Sequence, residues 1–180
     1  MTTRLCASCL RAFAAVFMLV VGVRAADLTV AAIARDQQVL VSFELVDGLT
    51  PAVGDAIQSG LPTTFSYAIE LRRSAALFDR TIASVTISAS VRFDNLTRRY
   101  QMSRTVDGRV EDARPTEDHD DMRKWLTAFD RIPVTATSRL ETNGEYYVRV
   151  RASAQPRSAW FFWPWDRGSI LGLAKFTFIP

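Results

Sequence analysis

Cysteine occurs only at Cys6 and Cys9 of this 180-residue chain. Everything downstream is therefore without disulfides, cysteine–zinc sites or a thiol nucleophile. The Cys6-x-x-Cys9 spacing has no strand–helix context, so it does not read as a redox motif. Histidine occurs once, as His119, which leaves too few ligands for a zinc site of His and Cys. Lysine is confined to Lys124 and Lys175. No GxSxG, HExxH, Walker or GxGxxG pattern is present. The longest apolar stretch, Ala12 to Val23, has twelve residues, short of the roughly 20 that span a bilayer as a helix.

That stretch follows a basic start at Arg4 and Arg11 and precedes the small-x-small sequence Val23-Arg24-Ala25. This is the pattern of a secretory signal peptide over residues 1–25, with 26–180 as one β-rich domain. Three of the 22 Lys+Arg (Arg4, Arg11 and Arg24) leave with it and no acid does, so the remainder balances the 19 Asp+Glu. The basic isoelectric point belongs to the precursor and gives no argument for nucleic acid, which needs a retained basic face. Export of a chain without cysteine fits a bacterial periplasm or cell envelope, with or without attachment to the membrane.

Period-2 alternation dominates after residue 26. Val85, Ile87, Ala89, Val91 and Phe93 repeat it, as do Phe65, Tyr67, Ile69 and Leu71. Val39 to Leu45 and Tyr146 to Ala152 do the same, with Tyr147, Arg149 and Arg151 on the opposite face. Further strands are expected over 28–34, 98–103, 133–140 and 175–179. Asn143-Gly144 and Asp107-Gly108 are hairpin signals, and Asp36-Gln37 is a weaker one. Thr50, Pro51 and Gly60 bracket one helix. A second is expected from Thr116 to near Arg131, with Met122, Trp125, Leu126 and Phe129 on its apolar face. The fold class is α+β, mainly β: an antiparallel sheet or open β-sandwich with two short helices covering one side.

Few residues offer chemistry. His119, in the first turn of a charged helix, is poorly placed for a base held in one tautomer. Glu117, Asp118, Asp120 and Asp121 lack the spacing of a calcium loop and suit a helix N-terminus. No catalytic residue, metal or cofactor is assigned. Arg98, Arg99, Arg104 and Arg109, with Arg149 and Arg151, could gather into a basic face if their strands pair, except that Arg98 and Arg99 point to opposite faces of a strand and cannot both join it. The favoured reading is arginines paired with the equal number of acids on a solvated sheet face. The most unusual segment is Trp160, Phe161, Phe162, Trp163, Pro164 and Trp165. At roughly 150–250 Å² per aromatic, its five rings fully exposed would exceed the ~300–600 Å² of a typical largest apolar patch. These rings either plug the domain or contact a membrane interface or partner.

Three segments carry a family resemblance: Leu49 to Phe65 with Tyr67 to Arg73, Leu96 to Tyr100, and Tyr146 to Arg151. Together they resemble the domain-of-unknown-function family 4390. The resemblance implies a secreted or membrane-associated envelope protein with no catalytic residues to carry over. The resemblance, with members encoded near membrane sensor kinases in some bacteria, implies a periplasmic accessory role as one alternative. The favoured expectation is a non-enzymatic binding domain for a protein or lipid partner. Its contact would use Trp160, Phe161, Phe162, Trp163 and Trp165, with Arg149 and Arg151. The remaining alternative is an envelope hydrolase using Asp118, Asp120 or Asp121. Intact-mass measurement of exported protein is expected to show a chain beginning at Ala26; one beginning at Met1 would mean a retained N-terminal anchor.

Overall fold

The alternating segments become nine strands in the computed structural model, which describes residues 27–75, 78–156 and 170–179. In chain order these are β1 (Asp27–Arg35), β2 (Gln38–Val46), β3 (Thr63–Arg73), β4 (Arg80–Asp94), β5 (Arg99–Val106), β6 (Arg109–Thr116), β7 (Ala128–Ala136), β8 (Glu145–Pro156) and β9 (Ile170–Thr177). Two helices join them, α1 (Pro51–Gln58) and α2 (His119–Thr127), with a short 3-10 turn at Thr137–Arg139. The strands form two antiparallel sheets, a three-stranded one in the order β1-β2-β7 and a six-stranded one in the order β6-β5-β4-β3-β8-β9.

The sheets face each other through the alternating apolar residues. Val39, Val41, Phe43 and Leu45 of β2 are buried, as are Phe65, Tyr67, Ile69 and Leu71 of β3 and Val148 and Val150 of β8. Phe43, Tyr67 and Phe129 meet at the seam with ring centroids 4.7–5.0 Å apart, distances at which aromatic pairs attract beyond area burial. Where β9 passes β1 the contact is closer still. A Cβ on Gly172 would lie 2.4 Å from Val30 Cγ2 and 2.7 Å from the Leu28 carbonyl oxygen, so this strand requires glycine there.

Both helices lie on the inner face of the large sheet. Thr50 caps α1 by accepting from the Val53 amide at 3.4 Å, and Gly60 ends it at φ +84°, as the sequence predicts. Val53 and Ile57 fill the space beneath. The carbonyls of the last turn of α2 have no partner within the helix, and side chains from the sheet supply one. The buried Tyr67 hydroxyl donates to the Leu126 carbonyl at 2.7 Å. Arg104 Nη2 donates to the carbonyls of Trp125 at 2.7 Å and Ala128 at 3.0 Å. Its guanidinium carbon lies 4.4 and 4.3 Å from the Trp125 and Phe129 ring centroids. Burial pushes the Tyr67 phenol well above its usual range and draws the Arg104 guanidinium down.

Several expectations are corrected. Helix α2 begins at His119, with Asp118 as its cap, because Thr116 pairs with Tyr100 in the sheet. It ends at Thr127 because Phe129, in apolar register for a further helical turn, pairs instead with Phe43 on β2. Asn143-Gly144 closes no hairpin between β7 and β8, since these strands lie in different sheets. Asn143 adopts φ +59° in a turn whose amide donates to the Phe178 carbonyl at 2.9 Å. Asp107-Gly108 does close a hairpin, onto β6, a strand the alternation does not reveal because its side chains are almost all exposed. Asp36-Gln37 closes the β1–β2 hairpin with both residues at positive φ.

Replacing Arg104 with methionine keeps much of the packing volume and removes two charge-assisted hydrogen bonds. The expected loss is about 2–4 kcal/mol, read as a lower urea midpoint at unchanged slope. An unchanged midpoint would show that the α2 carbonyls do not depend on Arg104.

A candidate binding face on β8 and β9

The outward residues of β8 are Glu145, Tyr147, Arg149 and Arg151. Register sets Tyr147 opposite Lys175, Arg149 opposite Leu173 and Arg151 opposite Leu171 on β9. On the other flank, Arg149 faces Glu70 and Tyr147 faces Arg72 of β3. Sequence alternation thus places Arg149 and Arg151 on one face, and the sheet order surrounds them with a mixed set of charges and two leucines.

Arg149, Arg151 and Tyr147 are each oriented by an acidic neighbour. Arg149 Nη2 donates to Glu70 Oε2 at 2.5 Å, and Arg151 Nη2 lies 3.9 Å from the other oxygen of the same carboxylate. The Tyr147 hydroxyl donates to Asp79 Oδ2 at 2.6 Å. Arg72 Nη2 donates to the Asp79 carbonyl at 3.2 Å. The hydrogen bond from Tyr147, then one from the Ala75 amide, holds the Asp79 carboxyl below its ordinary range, while Asp79 raises the Tyr147 phenol. Between these groups and β9 lies a groove of about 590 Å³ lined by Asp79, Tyr147, Arg149, Leu171, Leu173 and Lys175. Leu171 and Leu173 are 50% and 54% exposed, leaving an apolar strip beside a row of guanidinium groups.

The other candidates disperse. Arg98 sits in a turn at φ +55°. Arg99 pairs with Glu117 at 2.8 Å, Arg104 points inward to α2, and Arg109 opens β6 at the far edge. The six arginines therefore form no common basic face, because their strands lie at opposite ends of the sheet or present opposite sides. The acids of α2 are engaged locally. Asp118 accepts from the Asp120 amide at 2.8 Å, Asp121 pairs with Arg114 at 2.8 Å, and Asp120 lies 3.7 Å from Arg123. His119 Nδ1 is 3.4 Å from the Tyr100 hydroxyl. Among the described residues no three His, Cys, Asp or Glu groups converge as metal ligands, and no helix is long and apolar enough to cross a membrane. Trp160, Phe161, Phe162, Trp163 and Trp165 lie outside the described residues.

Leu171 and Leu173 are site residues that the sequence reading missed, because it began the last strand at Lys175. The alternation Leu171-x-Leu173-x-Lys175 was the available signal. Glu70 and Asp79 carry no such signal, since only the β3–β8 pairing brings them to Arg149 and Tyr147.

Fold and face together define a two-sheet, mainly β α+β domain with an amphipathic outer strip. The chain belongs to the family described as Domain of unknown function (DUF4390), whose model matches residues 24–158. The match ends before β9, so Leu171, Leu173 and Lys175 lie beyond it. No curated protein and no solved structure matches the chain.

The Tyr147–Asp79 bond gives a pH-dependent prediction. A carboxyl depressed in the folded state contributes stability that is full above its unfolded value, near 3.8, and is lost as pH falls through the folded value. Tyr147→Phe should raise the Asp79 titration midpoint, observed by NMR of its carboxyl carbon, and shrink that acid-sensitive contribution. An unmoved midpoint would assign the depression to the Ala75 amide and the Arg72 charge instead of Tyr147.

Proposed function

We propose that the protein is an exported, non-enzymatic binding domain of the bacterial envelope. Its partner is another envelope protein, held on the outward face of β8 and β9. The observation that carries this reading is the pair of half-exposed leucines, Leu171 and Leu173, directly cross-strand from Arg151 and Arg149. A small apolar centre flanked by arginines and a tyrosine has the composition of protein interfaces, which are enriched in Arg and Tyr. The charges there are of both signs, with Arg149 paired to Glu70 and Lys175 beside them, which favours a protein partner of matching pattern over a uniformly anionic membrane. The sequence joining β8 to β9 contains the aromatic residues Trp160, Phe161, Phe162, Trp163 and Trp165.

The Asp118, Asp120 and Asp121 carboxylates, on which a hydrolase would rely, are engaged in a helix cap and ion pairs. This supports the non-enzymatic reading.

A photo-crosslinking amino acid at Leu173 in intact cells is expected to give a discrete protein adduct that Arg151→Glu weakens several-fold. The same probe at Val110, 69% exposed on the distant β6, is expected to give none. Equal adducts from both positions would refute the assigned face, and adducts to lipid alone would replace the protein partner with the membrane surface.

A further inference from the structure

A second cluster lies at the opposite side of the β3–β4 end. Arg73 ends β3 and Arg80 opens β4, and the two are direct cross-strand partners. Like charges placed opposite each other in an antiparallel pair are destabilising. Arg139, from the 3-10 turn that follows β7, lines the same pocket of about 320 Å³, together with Thr81, Glu141 and Tyr146. Three guanidinium groups from three separate elements thus line one pocket with a single carboxylate, that of Glu141, which pairs with Arg73 alone. Among the described residues the guanidinium groups of Arg80 and Arg139 have no hydrogen-bond or ion-pair partner. Asp79, adjacent to Arg80 in sequence, is turned to the other groove and held by Tyr147.

Two hydroxyls add to the donor set. Tyr146 is buried and its oxygen accepts from the Glu141 amide at 2.7 Å, which leaves its own O–H proton free to be donated. Thr81 supplies a second hydroxyl at the rim.

We propose that this pocket binds a phosphate-type oxyanion, either as free phosphate or a small phosphate monoester, or as the headgroup of a phospholipid. The charge balance excludes a cation and favours an anion. Guanidinium groups offer forked donors that match the oxygens of phosphate. A carboxylate, with two oxygens, would satisfy fewer of these donors than a tetrahedral anion with three or four. The ion pair of Glu141 with Arg73 makes Glu141 the internal competitor that the ligand displaces or shares. This pocket shares only Tyr146 with the lining of the β8–β9 groove, and its proposed ligand does not depend on the role of that face.

The test uses the purified full chain, with inorganic phosphate titrated against chloride at constant ionic strength, followed by thermal melting and calorimetry. Phosphate should raise the melting temperature saturably. Arg80→Gln with Arg139→Gln should weaken that binding at least about tenfold, the scale of one lost charge-assisted hydrogen bond. The double variant should melt at or above the wild-type temperature in phosphate-free buffer, because it removes repulsion and breaks no partner. Glu141→Gln should tighten binding.

Flotation with phosphatidylcholine vesicles carrying phosphatidic acid separates the sources. Retention by those vesicles that the double variant loses, without a response to free phosphate, assigns the lipid headgroup. A response to free phosphate without retention assigns the soluble anion. The proposal is overturned if acetate acts as strongly as phosphate, if the double variant responds like the wild type, or if neither phosphate nor the vesicles bind.

Discussion

The C-terminal end of helix α2 is the constraint on which the arrangement of the two sheets depends. An α-helix leaves its last carbonyls unpaired, and this one ends in the interior, where an unpaired carbonyl costs roughly 1–3 kcal/mol. Tyr67 and Arg104, from two strands of the large sheet, reach across to Leu126, Trp125 and Ala128. The positive charge lies where the helix dipole favours it and is stacked between two aromatic rings. With the carbonyls satisfied there, the chain passes directly from helix into β7, which carries Phe129 to its place against Phe43 and Tyr67. One inward-pointing arginine thus ties helix, large sheet and small sheet together.

The sequence discloses the elements of this interior more readily than their connections. Strands β2, β3, β4 and β8 each bury one face, so alternation announces them. Helix α1 carries its own start and stop in Thr50, Pro51 and Gly60. Strand β6 buries neither face, and a pattern that depends on burial has nothing to register there. Met122, Trp125, Leu126 and Phe129 fit a helical stripe through Phe129, but the helix gives way to a strand after Thr127 because pairing with β2 outweighs local periodicity. The division into two sheets is invisible locally, since Asn143-Gly144 has the chemistry of a hairpin turn wherever it occurs.

The candidate sites show the same limit. Arg149 and Arg151 stand two positions apart in a strand and must share a face, so their association was readable. Glu70 lies 79 residues from Arg149, and Arg139 is far in sequence from Arg73 and Arg80. Only the strand order and the return of the chain after β7 bring such residues together. An arginine's sequence neighbours do not show whether it is spent on a carbonyl like Arg104, paired like Arg99, or left without a partner like Arg139.

The edges of the large sheet restrict how the domain meets other molecules. Strand β6, at one edge, carries Arg109, Glu111, Asp112, Arg114 and Pro115, and both charges and proline oppose the addition of another strand. At the other edge β1 closes against β9 so tightly that Gly172 has no room for a side chain. The inner face is filled by the small sheet and both helices. Recognition by backbone pairing is thereby disfavoured at the β6 edge, which favours side-chain surfaces. On the outer face of the central strands these are short hydroxyls that bond one another, Thr64 with Ser90 and Ser66 with Ser88. The longer side chains that can grip a partner are gathered instead toward β8, β9 and the β3–β4 end, where the two grooves are found.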